Sequence, residues 1–258
     1  MIKLTHVSHV FAGRQGEVHA LDDITLEVRR NELVTLVGRS GCGKSTMLRM
    51  VAGLLRPSSG TVTVAGEPVG KPRQDVSFMF QRAALLPWRT VLDNVLLPVE
   101  ILRLDRAAKR RRAHELLELV GLAGFEKRLP HELSGGMQQR ASLCRSLIQD
   151  PLVLLMDEPF SALDALTREE LSIELQRIRM EREMTIVFVT HSIEEAVLLA
   201  DRVAVLSPRP GRLRKIIDVD IPRPRTLGRN TYADRVAEVS AELHELLMPA
   251  PMASEGAG

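Results

Sequence analysis

The sequence predicts an α/β fold: buried strands ending in ligand-binding loops, antiparallel-looking strands around the first of them, and a helical insertion in the middle. Three observations carry this. Residues 33–37 are apolar apart from one Thr and run into Gly38-Arg39-Ser40-Gly41-Cys42-Gly43-Lys44-Ser45-Thr46, which fits the phosphate-loop pattern G-x-x-x-x-G-K-[ST] without a gap. Leu152-Val153-Leu154-Leu155-Met156 and Thr185-Ile186-Val187-Phe188-Val189 are apolar almost throughout, as strands covered on both faces should be. Between the phosphate loop and these strands, from Ala83 to Asp150, the pattern is helical.

The phosphate loop needs its residue types. Glycines let the backbone curl so that successive N–H groups point at one anion, and the following helix, from Ser45 to about Gly53, adds its N-terminal dipole. Lys44 would reach the β- and γ-phosphates and the Ser45 hydroxyl would ligate Mg²⁺. Bulk properties exclude other classes. A net charge of +2 over 258 residues predicts no nucleic-acid field, and aromatic residues at 3% argue against base-stacking platforms. No apolar run approaches the roughly 18 residues of a membrane span. Met1 to Thr5 lacks the apolar core of a signal peptide. Cys42 and Cys144 are the only cysteines, and a disulfide at Cys42 would obstruct the loop, so a reducing cytoplasm is expected.

In chain order, residues 2–8 read as a strand, followed by Phe11 and a polar, Gly-containing stretch to His19. Phe11 is either core or a surface for an adenine ring. Residues 21–28 and 61–65 alternate as half-exposed strands. Residues 76–80 form the next strand, with Gln81 at the C-terminal end, where open α/β sheets bind ligands; this makes it a candidate for the metal or the attacking water. The apolar loop Ala83 to Trp88 either meets a partner or folds onto its own helices. Thr90 and Asp93 start a helix that Pro98 kinks or ends; Asp105 caps another, through Val120, with Gly121 at its stop. Lys109-Arg110-Arg111-Arg112 is a solvated face of that helix.

Leu133-Ser134-Gly135-Gly136-Met137-Gln138-Gln139-Arg140 makes a second exposed helix N-terminus, a second potential phosphate site, although Ser-Gly-Gly alone is a common cap. The strand 152–156 ends in Asp157-Glu158-Pro159: a carboxylate for Mg²⁺ and, beside it, an acceptor for a proton from water. Ser161-Ala162-Leu163-Asp164 precedes a helix to about Glu181 with Leu171, Ile173, Leu175 and Ile178 as its apolar residues. His191 again stands at a strand's C-terminal end, and Ser192-Ile193-Glu194-Glu195 reads as a capping box. A hairpin follows over residues 203–219, turning at Pro208-Arg209-Pro210-Gly211. Residues 221–225 read as a stiff linker, 232–248 as an amphipathic helix, and the tail from Pro249 as disordered. No internal repeat is present.

Taken together, the phosphate loop at 38–46, Gln81, Leu-Ser-Gly-Gly-Met-Gln-Gln-Arg at 133–140, Met-Asp-Glu-Pro at 156–159, Ser-Ala-Leu-Asp at 161–164 and His191 resemble the ATP-binding cassette (ABC) ATPases. The resemblance implies a RecA-like P-loop NTPase core with an antiparallel β subdomain (1–82 and 151–220), an inserted α-helical signature subdomain (83–150), and a C-terminal helix and tail (221–258). It implies ATP and Mg²⁺, and a head-to-tail dimer in which each nucleotide sits between one copy's phosphate loop and the other's Ser134, Gly135, Gly136 and Gln138. By the same resemblance Phe11 stacks on adenine, Gln81 senses the γ-phosphate and metal, Asp164 links the two sites, and Glu158 is the general base beside His191. Integral membrane permease subunits, and indirectly a periplasmic or lipid-anchored substrate-binding protein, are the implied partners, at the cytoplasmic face of the inner membrane; no nucleic acid is expected. The loops at 80–95, 207–212 and 222–225 look most like the nitrate/sulfonate/taurine importer branch, and are expected to contact the permease. The alternatives are a soluble cassette ATPase acting on nucleic acid or ribosomes, against which the short insertion and small net charge count, and a non-hydrolysing scaffold, against which Glu158 and His191 count.

Overall fold

The computed structural model describes residues 1–13, 16–225 and 232–248. The elements, in order, are β1 (Ile2–Gly13), β2 (Gly16–Val28), β3 (Leu33–Val37), α1 (Lys44–Val51), β4 (Ser59–Val64), β5 (Glu67–Pro68), β6 (Val76–Met79), α2 (Val91–Val95), α3 (Leu97–Ile101), α4 (Arg106–Leu119), α5 (Gly135–Leu147), β7 (Val153–Asp157), α6 (Ala165–Glu181), β8 (Thr185–Val189), α7 (Ile193–Leu199), β9 (Arg202–Leu206), β10 (Leu213–Asp218) and α8 (Ala233–Leu247). They make two sheets. One is antiparallel, ordered β2-β1-β4-β5; the other is ordered β10-β9-β3-β8-β7-β6. In the second, β6, β7, β8, β3 and β9 run parallel, and β10 pairs back antiparallel on β9.

The apolar strands are explained by what covers them. Val34 and Leu36 of β3, Val153 and Leu155 of β7, and Val187 and Val189 of β8 pack into a core shared with α1 and the antiparallel sheet. Their alternate residues, Leu33 and Val37, Leu154 and Met156, Ile186 and Phe188, enter a second core with α2 to α7. A parallel sheet between two layers leaves no solvent face to mark with polar residues. Because the five strands are parallel, the ends of β3, β6, β7 and β8 emerge at one edge, with Gly38, Gln81, Glu158 and His191 following them.

Several sequence expectations need correction. The stretch from Phe11 to His19, read as a polar loop, is a hairpin in which Phe11 pairs with Val18 and Gly13 with Gly16. Both arms project into solvent, so backbone pairing sustains them without an apolar alternation. Pro98 sits in the first turn of α3, where its missing N–H costs nothing, so the expected helix becomes two short ones. Ile173 lies on the outer face of α6, unlike buried Leu171, Leu175 and Ile178. Ser192 caps α7 by accepting from Glu195 N, but the reciprocal capping-box bond is absent, since the Glu195 carboxylate accepts from the Thr190 hydroxyl. Residues 221–225 are no free linker. Arg225 is buried and donates to the carbonyls of Val197, Ala200, Val219 and Ile221. The tail from Pro249 lies outside the described residues.

Candidate nucleotide site

The phosphate loop runs from the end of β3 into α1, with Gly41 at φ 77° and Gly43 at φ 99°. A Cβ on Gly43 would lie 2.4 Å from Leu21 Cδ2, so both the turn and the close approach of β2 exclude a side chain. Gly43 is the N-cap of α1 and gives it no side-chain cap. The first N–H groups of that helix therefore have neither an intrahelical acceptor nor a cap, at residues that line the cavity. Lys44, 5% exposed, donates from Nζ to Gly38 O at 2.8 Å and Arg39 O at 3.2 Å. Its ammonium is held inside the loop it would neutralise.

A cavity of about 340 Å³ opens here. Phe11, Val18 and Ala20 contribute to its wall, as do Ser40, Gly41, Gly43, Lys44, Ser45 and Thr46, and Gln81, Asp157 and Glu158 from the neighbouring strand ends. Cys42 is buried behind the loop, and Gly38 is too close to Cys42 Sγ to carry a Cβ, which would come within 2.7 Å. Phe11, 40% exposed, meets His9 edge-on at 4.4 Å, so it is a surface rather than core. Burial holds the neighbouring His9 imidazole below its ordinary pKa.

The strand ends form one bonded set. Ser45 Oγ donates to Asp157 Oδ1 at 2.7 Å. Burial pushes the Asp157 carboxyl above its ordinary pKa; the Ser45 bond opposes this, and the adjacent Glu158 charge adds to it. Gln81 Nε2 donates to Ser161 Oγ at 3.2 Å, and Ser161 Oγ donates to the Glu158 carbonyl at 3.0 Å. Glu158 has φ 46°, a conformation that non-glycine residues rarely adopt, and its N–H donates to Val189 O at 3.0 Å. This holds its carboxylate 3.2 Å from His191 Nδ1.

The remaining predicted residues lie elsewhere. Ser134 is the N-cap of α5 and accepts from Met137 N at 3.3 Å. Ser134, Gly135 and Gly136 line a second cavity, about 490 Å³, together with Leu163 and Asp164 of the same chain. Asp164 caps α6, accepting from Thr167 N at 3.0 Å and Thr167 Oγ1 at 2.8 Å, bonds that hold its carboxyl below the ordinary value. Gln138 donates to Pro130 O at 2.9 Å and Leu133 O at 3.3 Å, so its amide is engaged within its own chain.

Two residues escaped sequence reasoning. Gln139, inside the 133–140 signature but given no role there, is buried and donates to Gln81 O at 2.8 Å and to Pro159 O, tying α5 to both strand-end loops. Arg209, on the β9–β10 turn, reaches the first cavity and donates from Nε to Gly41 O at 3.2 Å. The 207–212 turn, expected to contact a permease, thus packs on the phosphate loop.

Comparison with known proteins gives a family. The sequence family described as ABC transporter matches residues 21–161. The chain is 44% identical over 246 residues to the taurine import ATP-binding protein TauB of Rhizobium johnstonii, covering 95% of this chain and 94% of that protein. It is 46% identical over 228 residues to the nitrate import ATP-binding protein NrtC of Synechococcus elongatus, covering 87% of this chain and 35% of that protein. Among solved structures, the dimeric post-hydrolysis state of the ATP-binding cassette MJ0796 bound to ADP and Pi superposes with a TM-score of 0.76 at 30% identity, over 86% of this chain and all of that one. The matched family and the ADP- and Pi-bound cassette together show that this chain belongs to the ABC transporter ATP-binding family and is an ATPase.

Proposed function

We propose that this chain is the ATP-hydrolysing subunit of a bacterial importer, and that two copies clasp two nucleotides head to tail. The observation that carries the dimer is the separation of its two anion-binding helix ends. Lys44 and Ser134 line different cavities of one chain, with no residue in common. A nucleotide held by both therefore needs the Ser134 end of a second copy. Binding draws on Lys44 and the loop N–H groups, with Phe11 against the base. Mg²⁺ fits the oxygen set of Ser45, Asp157 and Gln81: a hydroxyl, a carboxylate and an amide at one strand edge, the carboxylate short of compensating charge where burial raises its pKa. When bound, the metal offsets phosphate charge. Glu158 takes the proton from the attacking water, and His191, next to it, orients that water against the terminal phosphate. Loss of that phosphate removes the shared anion and the copies part.

The division into a core (1–82 and 151–220), a helical signature subdomain (83–150) and a C-terminal helix and tail (221–258) follows the order of the elements, with α2 to α5 grouped between β6 and β7, while one core packs across all three parts. A groove of about 460 Å³ between the β6 edge and α3, lined by Phe78, Phe80, Leu97, Pro98 and Ile101, suits a short helix of a membrane permease. Trp88, 73% exposed, lies on the same helical side of the sequence but does not line that groove. Among the described residues no helix is long and apolar enough to cross a membrane, so the membrane is reached through such a partner, peripherally, at the cytoplasmic face of the inner membrane. The named relatives favour uptake of a small anion such as taurine, another sulfonate or nitrate, delivered by a periplasmic or lipid-anchored binding protein. Glu158→Gln tests the core of this reading. ATP hydrolysis should fall by at least ~100-fold, and the ATP-loaded variant should elute as a stable dimer. Unchanged hydrolysis would remove Glu158 from its role, and co-purification with ribosomes rather than a polytopic membrane protein would favour the alternative reading.

A further inference from the structure

We propose that Arg209 is a nucleotide-binding residue, a second cation for the polyphosphate delivered from the β9–β10 turn; the inference rests on the nucleotide reading of the first cavity. The turn is built to stand there. Ser207 accepts from Arg212 N at 2.9 Å and donates to Pro210 O at 3.1 Å, closing it on itself. Gly211 N donates to Ala20 O at 3.0 Å, and Gly211 O accepts from Asp22 N at 2.9 Å, fastening it to β2. A Cβ on Gly211 would lie 2.0 Å from Cys42 O, so glycine is required for the turn to press on the phosphate loop.

The two arginines of the turn differ. Arg212 is neutralised by Asp22. Arg209 has no carboxylate partner among the described residues, and its hydrogen bond there is the one from Nε to Gly41 O. That bond fixes one edge of the guanidinium on the phosphate loop and leaves the Nη groups for another acceptor. Arg209 Nη2 lies 3.1 Å from the position a Cβ on Gly41 would occupy, so a side chain on Gly41 would displace it. An unpaired planar cation on the wall of a cavity lined by Lys44 suits an oxyanion.

Calorimetric titration of the full chain with ADP tests this. Arg209→Ala should weaken ADP about tenfold at low salt, the size of one exposed charge-assisted contact. Arg209→Lys should recover part of the loss, and raising the ionic strength should narrow the gap between wild type and Arg209→Ala. The melting temperature of Arg209→Ala should match wild type, because the side chain is exposed. Equal ADP affinity in wild type and Arg209→Ala would overturn the proposal. So would a loss that neither lysine relieves nor salt narrows, which would make Arg209 a prop for the loop. A wild-type chain that bound no ADP would instead overturn the nucleotide reading, so the two failures are distinguishable.

Discussion

The N-termini of α1 and α5 both carry glycines, ahead of the first turn in α1 and within it in α5, yet they are finished in opposite ways. At α1 the N-cap is Gly43 in the left-handed conformation, with no side chain to accept a hydrogen bond. At α5 the N-cap is Ser134, whose hydroxyl accepts from Met137 N. The first end is incomplete until an anion arrives, and Lys44 is buried beside it. The second has its Met137 N–H satisfied by its own cap and offers its remaining first-turn N–H groups, its dipole and a hydroxyl to whatever is brought to it. In the proposed dimer one end is a cradle within the chain and the other a lid for a neighbour's cradle.

Substitutions can break that contrast. The largest effect is expected from Lys44→Ala, which removes the ammonium from the cradle: ADP affinity of the isolated chain should drop by at least ~100-fold, as read by calorimetry. Ser134→Asp should dissociate the two roles of α5. Aspartate caps a helix as well as serine does, so the melting temperature should hold, and ADP binding by the single chain should be unchanged. A carboxylate facing a partner's nucleotide should nonetheless cut hydrolysis by ~100-fold and abolish ATP-driven dimers on size exclusion. If Ser134→Asp hydrolysed normally, the lid assignment would fail.

A smaller effect separates binding from stability. Asp157→Asn removes a half-buried charge that burial disfavours more than the Ser45 bond and the Arg49 and Lys44 charges restore it, so the nucleotide-free chain should become more stable while losing hydrolysis. The sign is set by the raised pKa. Between the ordinary value and the raised one the native chain holds a proton that the unfolded chain has lost, so wild-type stability falls as pH rises through that window. The Asn variant should lack this slope in melting curves taken across mildly acidic pH.

Much of the cradle was legible in the sequence, because its strands are covered on both faces and its turn needs glycine. β3 and β8 have the expected bounds, and β7 is displaced by a single residue. The β1–β2 hairpin was less legible, since its outer arms rest on backbone pairing and leave no periodic signature. The hidden residues are polar side chains whose acceptors are backbone carbonyls far along the chain. Gln139 reaches Gln81 O, Arg209 reaches Gly41 O, and Arg225 reaches Val197 O and Ala200 O. Nothing in a local window distinguishes such a residue from a solvated one. Glu195 is similar: it reads as half of a capping box, but it is buried, accepts from Thr190 and lies 3.4 Å from Arg168 Nε. Its pKa is raised by that burial.

Arg225 sets where this polypeptide can be shortened. Its guanidinium, pulled down to about 10 by burial, closes the carbonyl end of α7, the helix that begins two residues after His191. A truncation at residue 220 would strip away that plug and leave carbonyls facing an emptied hole at the far end of the helix that follows the histidine. A truncation after residue 248 would leave every one of those partners in place.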